Sequence, residues 1–192
     1  MIGYWNESKG VIEMKEKNSP FWDDYCRLDK SRKKWLIVPD MLFRHNIRFM
    51  FWYRLYQKGN LIGRIGCYRC SRKFGLEFSP DTKIAPGLYL SHPYNITVGE
   101  GVEIGRNVNL SKGCTIGNVR EGARKGSPKL GNCVFVGINA TVVGGVEIGD
   151  DVVIASNAFV DFDVPSHSVV IGNPGTIHHK NNATEEIILD RV

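Results

Sequence analysis

The chain has 192 residues, of which 42% are hydrophobic, and a formal net charge of +5. This length suits one domain, or one domain with a helical attachment, and the apolar content is sufficient for a core. The positive charge favours an anionic partner but does not choose among nucleic acid, a membrane surface and a phosphorylated ligand. Five cysteines are an odd number, which favours reduced thiols over a disulfide framework.

The opening stretch, Met1 to Asn18, mixes acidic and basic residues and contains no apolar run of the kind found in signal peptides. We therefore expect a cytoplasmic protein. Cys67 and Cys70 form a lone CxxC motif without a second pair or a nearby histidine, so the sequence favours a structural role for them and predicts no metal site.

Residues 1–75 form a predicted α-helical N-terminal segment. Between Asp40 and Arg72, aliphatic and aromatic residues alternate with arginines at spacings that fit amphipathic helices, with a break near Gly59 and Asn60. No run is long enough to cross a bilayer. The basic, aromatic stretch from Phe43 to Tyr56 leaves two alternatives open, which are packing on its own domain or a partner subunit and peripheral contact with a membrane interface.

A repeat with a period of six residues dominates the rest of the chain. Aliphatic residues lead most units, glycine or alanine often follows them, and small or β-branched residues fill the inner positions, which is typical of a solenoid. The leading residues are Phe78, Ile84, Leu90, Val98, Ile104, Leu110, Ile116, Leu130, Val136, Val142, Ile148, Ile154 and Val160.

A unit of six residues fits one short strand and one turn, so three units make one triangular coil. The pattern predicts a mainly β fold, a parallel β-helix over residues 76–177, followed by a tail at 178–192. Two spacings are irregular. Leu90 and Val98 are eight residues apart, and the longer gap from Ile116 to Leu130 predicts an external basic loop at 118–129.

The repeats, the single ejected loop and the closing stretch from Asp163 to Gly175 resemble the bacterial hexapeptide acyltransferases, and among them the serine acetyltransferase branch. The resemblance implies a left-handed β-helix, acetyl-CoA as co-substrate, and a homotrimer in which the donor binds between subunits. It implies no nucleic acid partner and no metal. The histidines do not follow the coil spacing, which argues against the zinc site of β-helical carbonic anhydrases.

The resemblance also assigns a catalytic pair. Glu77 begins a stretch that matches the family's motif and His92 ends it, 15 residues later. In the family the histidine is the general base and the acidic residue orients it. A hydroxyl that attacks a thioester must lose its proton, and imidazole can accept that proton near neutral pH. Because 15 residues are close to one coil, we expect the two side chains on neighbouring positions of one edge.

Further site residues follow from the same resemblance. A backbone N–H near Gly117 is expected to stabilise the thioester oxyanion. The pantetheine arm of the donor is expected along four small residues, and cations near the loop are expected to meet phosphates or an anionic acceptor, although a merely solvated loop remains an alternative. The donor residues are Gly137, Ala140, Ala155, Ser156 and Lys129, and the loop cations are Arg120, Arg124 and Lys125.

The acceptor is predicted from departures from the family pattern. Ser91 stands where serine acetyltransferases have an aspartate before the base, and Gly126, Ser127 and Pro128 stand where they have Arg-His-Pro. Without these charges L-serine is expected to be a poor acceptor. The sequence then resembles small O-acetyltransferases of capsule, exopolysaccharide and colanic acid pathways, which implies a saccharide acceptor and leaves open a location at the inner face of the membrane. The alternatives are serine O-acetylation for cysteine synthesis and a non-catalytic hexapeptide scaffold.

Overall fold

The computed structural model describes residues 3–6, 11–14, 19–29, 31 and 33–192. A short antiparallel hairpin, β1 (Gly3–Asn6) and β2 (Val11–Met14), comes first. The helices are α1 (Pro20–Cys26), a 3-10 turn (Lys34–Leu36), α2 (Ile37–Phe43), α3 (His45–Tyr56) and α4 (Leu61–Phe74). The predicted break near Gly59 and Asn60 is confirmed.

The sequence accounts for the ends of α4. The Asn60 side chain accepts hydrogen bonds from the N–H groups of Ile62 and Gly63, at 2.9 and 3.1 Å, which satisfies two donors that a helix start leaves free. At the other end, Gly75 has a φ of 66°, which glycine adopts at little cost. The turn at Gly75 leads the chain directly into the first strand of the β-helix.

Fifteen short strands follow, and fourteen of them wind into a triangular prism with three parallel faces; the last is an added antiparallel strand. Face 1 contains β3 (Leu76–Phe78), β6 (Ile96–Val98), β9 (Thr115–Gly117), β12 (Thr141–Val143) and β15 (Phe159–Val160). Face 2 contains β4 (Lys83–Ile84), β7 (Glu103–Ile104), β10 (Lys129–Leu130) and β13 (Glu147–Ile148). Face 3 contains β5 (Tyr89–Ser91), β8 (Asn109–Ser111), β11 (Val134–Val136), β14 (Val152–Ile154) and β16 (Ser168–Ile171), and β17 (Thr176–His179) pairs with β16.

The period-six aliphatic residues stack as three columns inside the prism, one behind each face. Pairing between successive strands sets the register, and almost every member is buried. The columns are Phe78, Val98, Ile116, Val142 and Val160; Ile84, Ile104, Leu130, Ile148 and Val164; and Leu90, Leu110, Val136, Ile154 and Val170. Each buried aliphatic side chain contributes roughly 1.5 to 3 kcal/mol. The predicted hexapeptide β-helix is confirmed.

Three edges join the faces, and each has its own contents. The histidine edge, from face 3 to face 1, carries His92 and then Asn95, Gly113, Asn139 and Asn157, all with positive φ. The loop edge, from face 1 to face 2, carries the external loop at 118–129. The tail edge, from face 2 to face 3, carries Gly87, Asn107, Cys133, Asp151 and His167, also with positive φ.

The helices pack on the open end of the prism. Phe49 and Tyr53 of α3 contact Phe78, with ring centroids 4.9 and 5.4 Å apart, and the Tyr53 hydroxyl donates to the Ser79 carbonyl at 3.0 Å. Much of the aromatic stretch from Phe43 to Tyr56 therefore belongs to the core. Of the two alternatives that the sequence left open for this stretch, the structure shows packing on its own domain. None of the helices in the described residues is both long and apolar enough to span a membrane.

A buried ion pair fastens α1 and α3 to the first coil. Arg54 donates to both carboxylate oxygens of Asp24, at 2.8 and 3.0 Å, and to the carbonyls of Ile84 and Ala85, at 2.7 and 3.0 Å. Asp24 also accepts from the N–H groups of Gly87 and Leu88, both at 2.9 Å. Burial raises the pKa of the Asp24 carboxyl, and the guanidinium and these two N–H groups act in the opposite direction.

The C-terminal tail runs back along the tail edge. Asp151 accepts hydrogen bonds from the backbone N–H groups of Ala183 and Thr184, both at 2.9 Å, and from the Thr184 hydroxyl at 2.6 Å. Further along, Asn107 exchanges two hydrogen bonds with the backbone of Val192, at 2.8 and 3.0 Å. Ile188, between these anchors, is 2% exposed. The tail is part of the fold.

The Asp151 anchor is expected to weaken in acid. Burial alone would raise the pKa of Asp151, but hydrogen bonds from Thr184, His167 and Ala183 outweigh it and hold the pKa at about 2, below the ordinary 3.8. Its stabilising contribution is present above pH ~4 and is lost as the pH falls towards 2. Urea unfolding at pH 6 and pH 3 should therefore show a smaller pH effect in Asp151→Asn than in wild type. Glu185→Gln, an exposed tail substitution, should leave the wild-type pH effect unchanged.

Candidate active site

His92 lies on a local enlargement of the histidine edge. Ser91 pairs with Ser111 and Thr97 pairs with Thr115, so five residues, 92–96, lie between the paired positions where the next coil has three, 112–114. These two extra residues account for the irregular spacing between Leu90 and Val98. His92 is exposed and has a φ of 49°, so the insertion presents an accessible imidazole at the edge of the prism.

The first residue of α3 supports this turn. The ring of His45 stacks on Phe74, with centroids 4.5 Å apart, and contacts Tyr94 at 4.9 Å. Burial and the nearby Arg48 lower the pKa of His45, which favours a neutral ring. Sequence analysis gave His45 no role, because nothing in the repeat links residue 45 to residue 94. Its contacts indicate a role in holding the turn that contains His92.

Glu77 lies in the middle of β3, with its side chain pointing away from the core. It heads an outward-facing row on face 1 whose successive members are Thr97, Thr115, Thr141 and Phe159. Glu77 is adjacent to Thr97, in the strand that follows the His92 turn. The structure thus brings Glu77 and His92 to the same end of the prism, without a hydrogen bond between the two side chains. Such bonds often form only when substrate is bound. The expectation that both lie on one edge is wrong, because Glu77 lies on face 1 and His92 on the adjoining edge.

A cavity of about 450 Å³ lies above Glu77, between face 1 and α4. Arg64, Tyr68 and Ser71 line its helical wall, while Glu77 and Thr97 line its β-helix wall. Cys67 also borders the cavity, but burial and the neighbouring Cys70 raise the pKa of its thiol to about 12. Cys67 therefore remains protonated near neutral pH, when it would be a poor nucleophile.

The ejected loop lies at the opposite side of face 1 from His92. It is closed by a bridge between Val119 and Gly126, and its backbone contacts the next coil through the Arg124 carbonyl, which accepts from the Gly145 N–H at 2.9 Å. The side chains of Arg120, Arg124 and Lys125 are exposed. Gly117 ends β9 on this same side. A three-residue strand spans roughly 10 Å, so one copy of the chain does not gather these residues around its own His92.

The expected donor residues divide into two groups. Gly137, Ala155 and Ser156 lie on the histidine edge, below His92, and Ser91 directly precedes His92 there. Ala140 is 0% exposed and belongs to the core, because it fills an inner position of its repeat unit. Lys129 lies on face 2, where its ammonium group is 3.6 Å from the carboxylate of Glu147. The structure therefore places Ala140 in the same turn as Gly137 but with its side chain inside the prism, whereas Lys129 lies on a different face.

The repeat and this arrangement define the class of protein. Residues 127–161 match the family model for the bacterial transferase hexapeptide (six repeats). This match covers part of the predicted repeat and supports the resemblance to the hexapeptide transferases that the sequence indicated.

Serine acetyltransferases are among the curated proteins that this chain resembles. The chain is 40% identical to the Helicobacter pylori enzyme over 99 residues, covering 52% of this chain and 58% of that protein. It is 33% identical to the Staphylococcus aureus enzyme over 126 residues, covering 65% of this chain and 59% of that one. A solved structure of the Neisseria gonorrhoeae serine acetyltransferase in complex with serine matches with a TM-score of 0.68 and 26% identity, covering 83% of this chain and 67% of that chain. The chain spans less than two thirds of the length of these curated relatives.

These relatives correct the predicted acceptor. The expectation of a saccharide, and of a place in polysaccharide biosynthesis, is wrong, because the relatives are serine acetyltransferases. The expectation assumed that the charged side chains which hold an amino acid must stand at the positions that Ser91, Gly126 and Ser127 occupy in this chain. The fold places one further charged side chain, Arg64 of α4, in the cavity beside Glu77, and a position-by-position reading of the motif cannot detect it.

Proposed function

We propose that this chain is an acetyl-CoA-dependent O-acetyltransferase whose acceptor is L-serine. The observation that carries the proposal is the two-residue enlargement of the histidine edge, which presents His92 above the small residues Gly137 and Ala155. The similarity to serine acetyltransferases supports the choice of acceptor. Acetyl-CoA is a co-substrate in this proposal.

In the proposed reaction His92 acts as general base. Its imidazole takes the proton of the serine hydroxyl while the hydroxyl oxygen attacks the thioester carbonyl carbon. The C–S bond of the resulting tetrahedral intermediate then breaks, and the imidazolium returns the proton to the departing thiolate, which gives O-acetylserine and free coenzyme A. Glu77 orients the ring and stabilises the imidazolium, and the N–H near Gly117 stabilises the oxyanion.

The active unit in this proposal is a homotrimer. The loop cations and Gly117 lie on the loop edge, whereas His92 lies across face 1 on the histidine edge, so a complete site needs the loop edge of a neighbouring copy. Closed cyclic symmetry then gives three equal sites. Sedimentation equilibrium of the active protein tests this directly, and a fully active monomer would contradict it.

Release of coenzyme A thiol in the presence of acetyl-CoA tests the reaction. We expect turnover with L-serine at a kcat/KM of roughly 10⁴ M⁻¹s⁻¹ or more. Nucleotide sugars and oligosaccharides serve as negative controls. Thiol release that is independent of L-serine, or that requires a different hydroxyl compound, would overturn the proposal.

The partnership of Glu77 and His92 has its own test. Glu77→Gln keeps the size of the side chain but removes the charge. We therefore expect it to lower kcat less than removal of the His92 imidazole does. In the background of a His92 variant, Glu77→Gln should have almost no further effect, because the carboxylate acts only through the imidazole. Single-turnover rates at saturating donor measure both steps of this cycle. Independent, multiplying losses would show that Glu77 does not act through His92.

A further inference from the structure

We propose that Arg64, on α4, binds the carboxylate of the acceptor amino acid in the cavity above Glu77. The inference rests on the proposed function and adds a specificity-determining residue that lies outside the repeat. The helical segment would then take part in choosing the acceptor in addition to covering the end of the prism.

The first support is the charge distribution in the cavity. Among the residues that line it, Arg64 is the single cation and Glu77 is the single carboxylate, on walls formed by α4 and by face 1. The remaining polar lining is made of hydroxyl groups, including those of Ser71, Ser79 and Thr97. An amino acid needs a cation for its carboxylate and a nearby base for its hydroxyl. This cavity holds the cation beside the carboxylate that is proposed to orient the base.

The second support is that Arg64 has no acidic partner within the described part of the chain. The arginines at 44, 54 and 106 each lie within 4.0 Å of an aspartate carboxylate. Helix α4 contains no acidic residue at all, and no described carboxylate forms an ion pair with Arg64. A guanidinium in this state can bind a carboxylate through two parallel N–H···O hydrogen bonds.

The third support is the shape of the site. A volume of about 450 Å³ is ample for an amino acid together with the thioester end of the donor, and lies in the range of small-molecule sites. The cavity floor contains Thr97, on the strand that follows the His92 turn. An acceptor whose carboxylate meets Arg64 would therefore lie along face 1, towards the histidine edge. Ser91 and Ser127 carry no charge, so within one copy of the chain the cation that lines this cavity comes from α4.

The test compares two acceptors and four proteins, which are the wild type, Arg64→Ala, Arg64→Lys and Arg72→Ala. L-serine carries the carboxylate, and L-serinamide has the same hydroxyl with an uncharged amide in its place. Arg64→Ala removes the guanidinium, and Arg72→Ala is the matched control, because Arg72 lies on the exposed surface of the same helix and does not line the cavity. Both substitutions lie on the surface, where effects on folding are usually small. Thermal unfolding of each variant checks this.

We expect Arg64→Ala to raise the KM for L-serine roughly 10- to 100-fold, the cost of losing hydrogen bonds between charged groups. Its kcat and its KM for acetyl-CoA should change little. The wild type should already bind L-serinamide weakly, and Arg64→Ala should not weaken that binding further. Arg64→Lys should recover part of the loss, since it restores the charge without the paired geometry. Arg72→Ala should match the wild type throughout.

Calorimetric titration of L-serine gives a readout that does not depend on turnover. A wild-type KM for L-serine in Arg64→Ala, or an equal loss with L-serinamide, would overturn the role of Arg64 and leave the proposed function standing. A wild-type protein that neither binds nor acetylates L-serine would overturn the proposed function itself, and this inference with it. The two failures are therefore distinguishable.

Discussion

Replacing His92 with asparagine is expected to lower kcat by roughly 10²- to 10⁴-fold, the usual contribution of a general base. Asparagine tolerates the positive φ of this position, so the turn should keep its conformation. The imidazole acts on the proton of the acceptor and not on the donor nucleotide. Binding of coenzyme A, measured by calorimetry, should therefore remain close to that of the wild type.

His167 provides a matched control for this experiment. It is also a histidine with positive φ, 59° against 49° for His92, but it lies on the tail edge, where its Nδ1 is 2.9 Å from Asp151. His167→Asn should keep nearly full kcat. Equal losses in the two variants would indicate that any change at an edge histidine harms the enzyme. A nearly unchanged kcat in His92→Asn would remove His92 from the reaction.

Replacing Asp24 with alanine is expected to lower the free energy of unfolding by about 3 to 5 kcal/mol, the cost of leaving a buried charge without its partner. Arg54 is 7% exposed and would lose its only carboxylate among the described residues. The N–H groups of Gly87 and Leu88 would lose their acceptor at the same time. Because this network joins α1 and α3 to the first coil, urea unfolding should show the loss directly.

The exposed pair of Lys83 and Glu103 is the control for Asp24. Its atoms are 2.7 Å apart, as close as those of the buried pair, but its side chains are 78% and 43% exposed. Glu103→Ala should therefore leave the stability close to that of the wild type, because water and salt screen an exposed ion pair. If Asp24→Ala were no more destabilising than Glu103→Ala, the helices would be held on the prism by their apolar contacts alone.

Much of the β-helix could be predicted because each coil repeats the same local requirement. An inward aliphatic residue every six positions, followed by a small residue at the turn, specifies the strand and its neighbour together. Ile84 and Ile104, for instance, fall in one column because both lead a unit. Even the irregular spacing before Val98 had a structural meaning, since it marks the enlarged turn of His92. Handedness came from resemblance, because the period itself does not determine it.

The contacts outside the repeat could not be predicted in this way. Asp24 and Arg54 are 30 residues apart, and His45 meets Tyr94 across a larger separation, without any periodicity to pair them. Arg64 is one of several arginines in the predicted helices, and only the packing of α4 beside Glu77 sets it apart from the others. Ala140 was assigned to a donor groove because it is small, although an inner position of the repeat needs a small side chain for packing.

The folded-back tail has a consequence for cooperativity. In most solenoids each repeat touches only its neighbours, so the stack can fray one coil at a time from a free end. Here Arg27 bonds to the Leu189 carbonyl, 162 residues away in sequence, and Val192 is held by Asn107 in the second coil. The end of the chain is thereby fastened to its beginning along the outside of the prism. Loss of the last coil requires the release of contacts near the first, which couples helices, coils and tail into one unfolding unit.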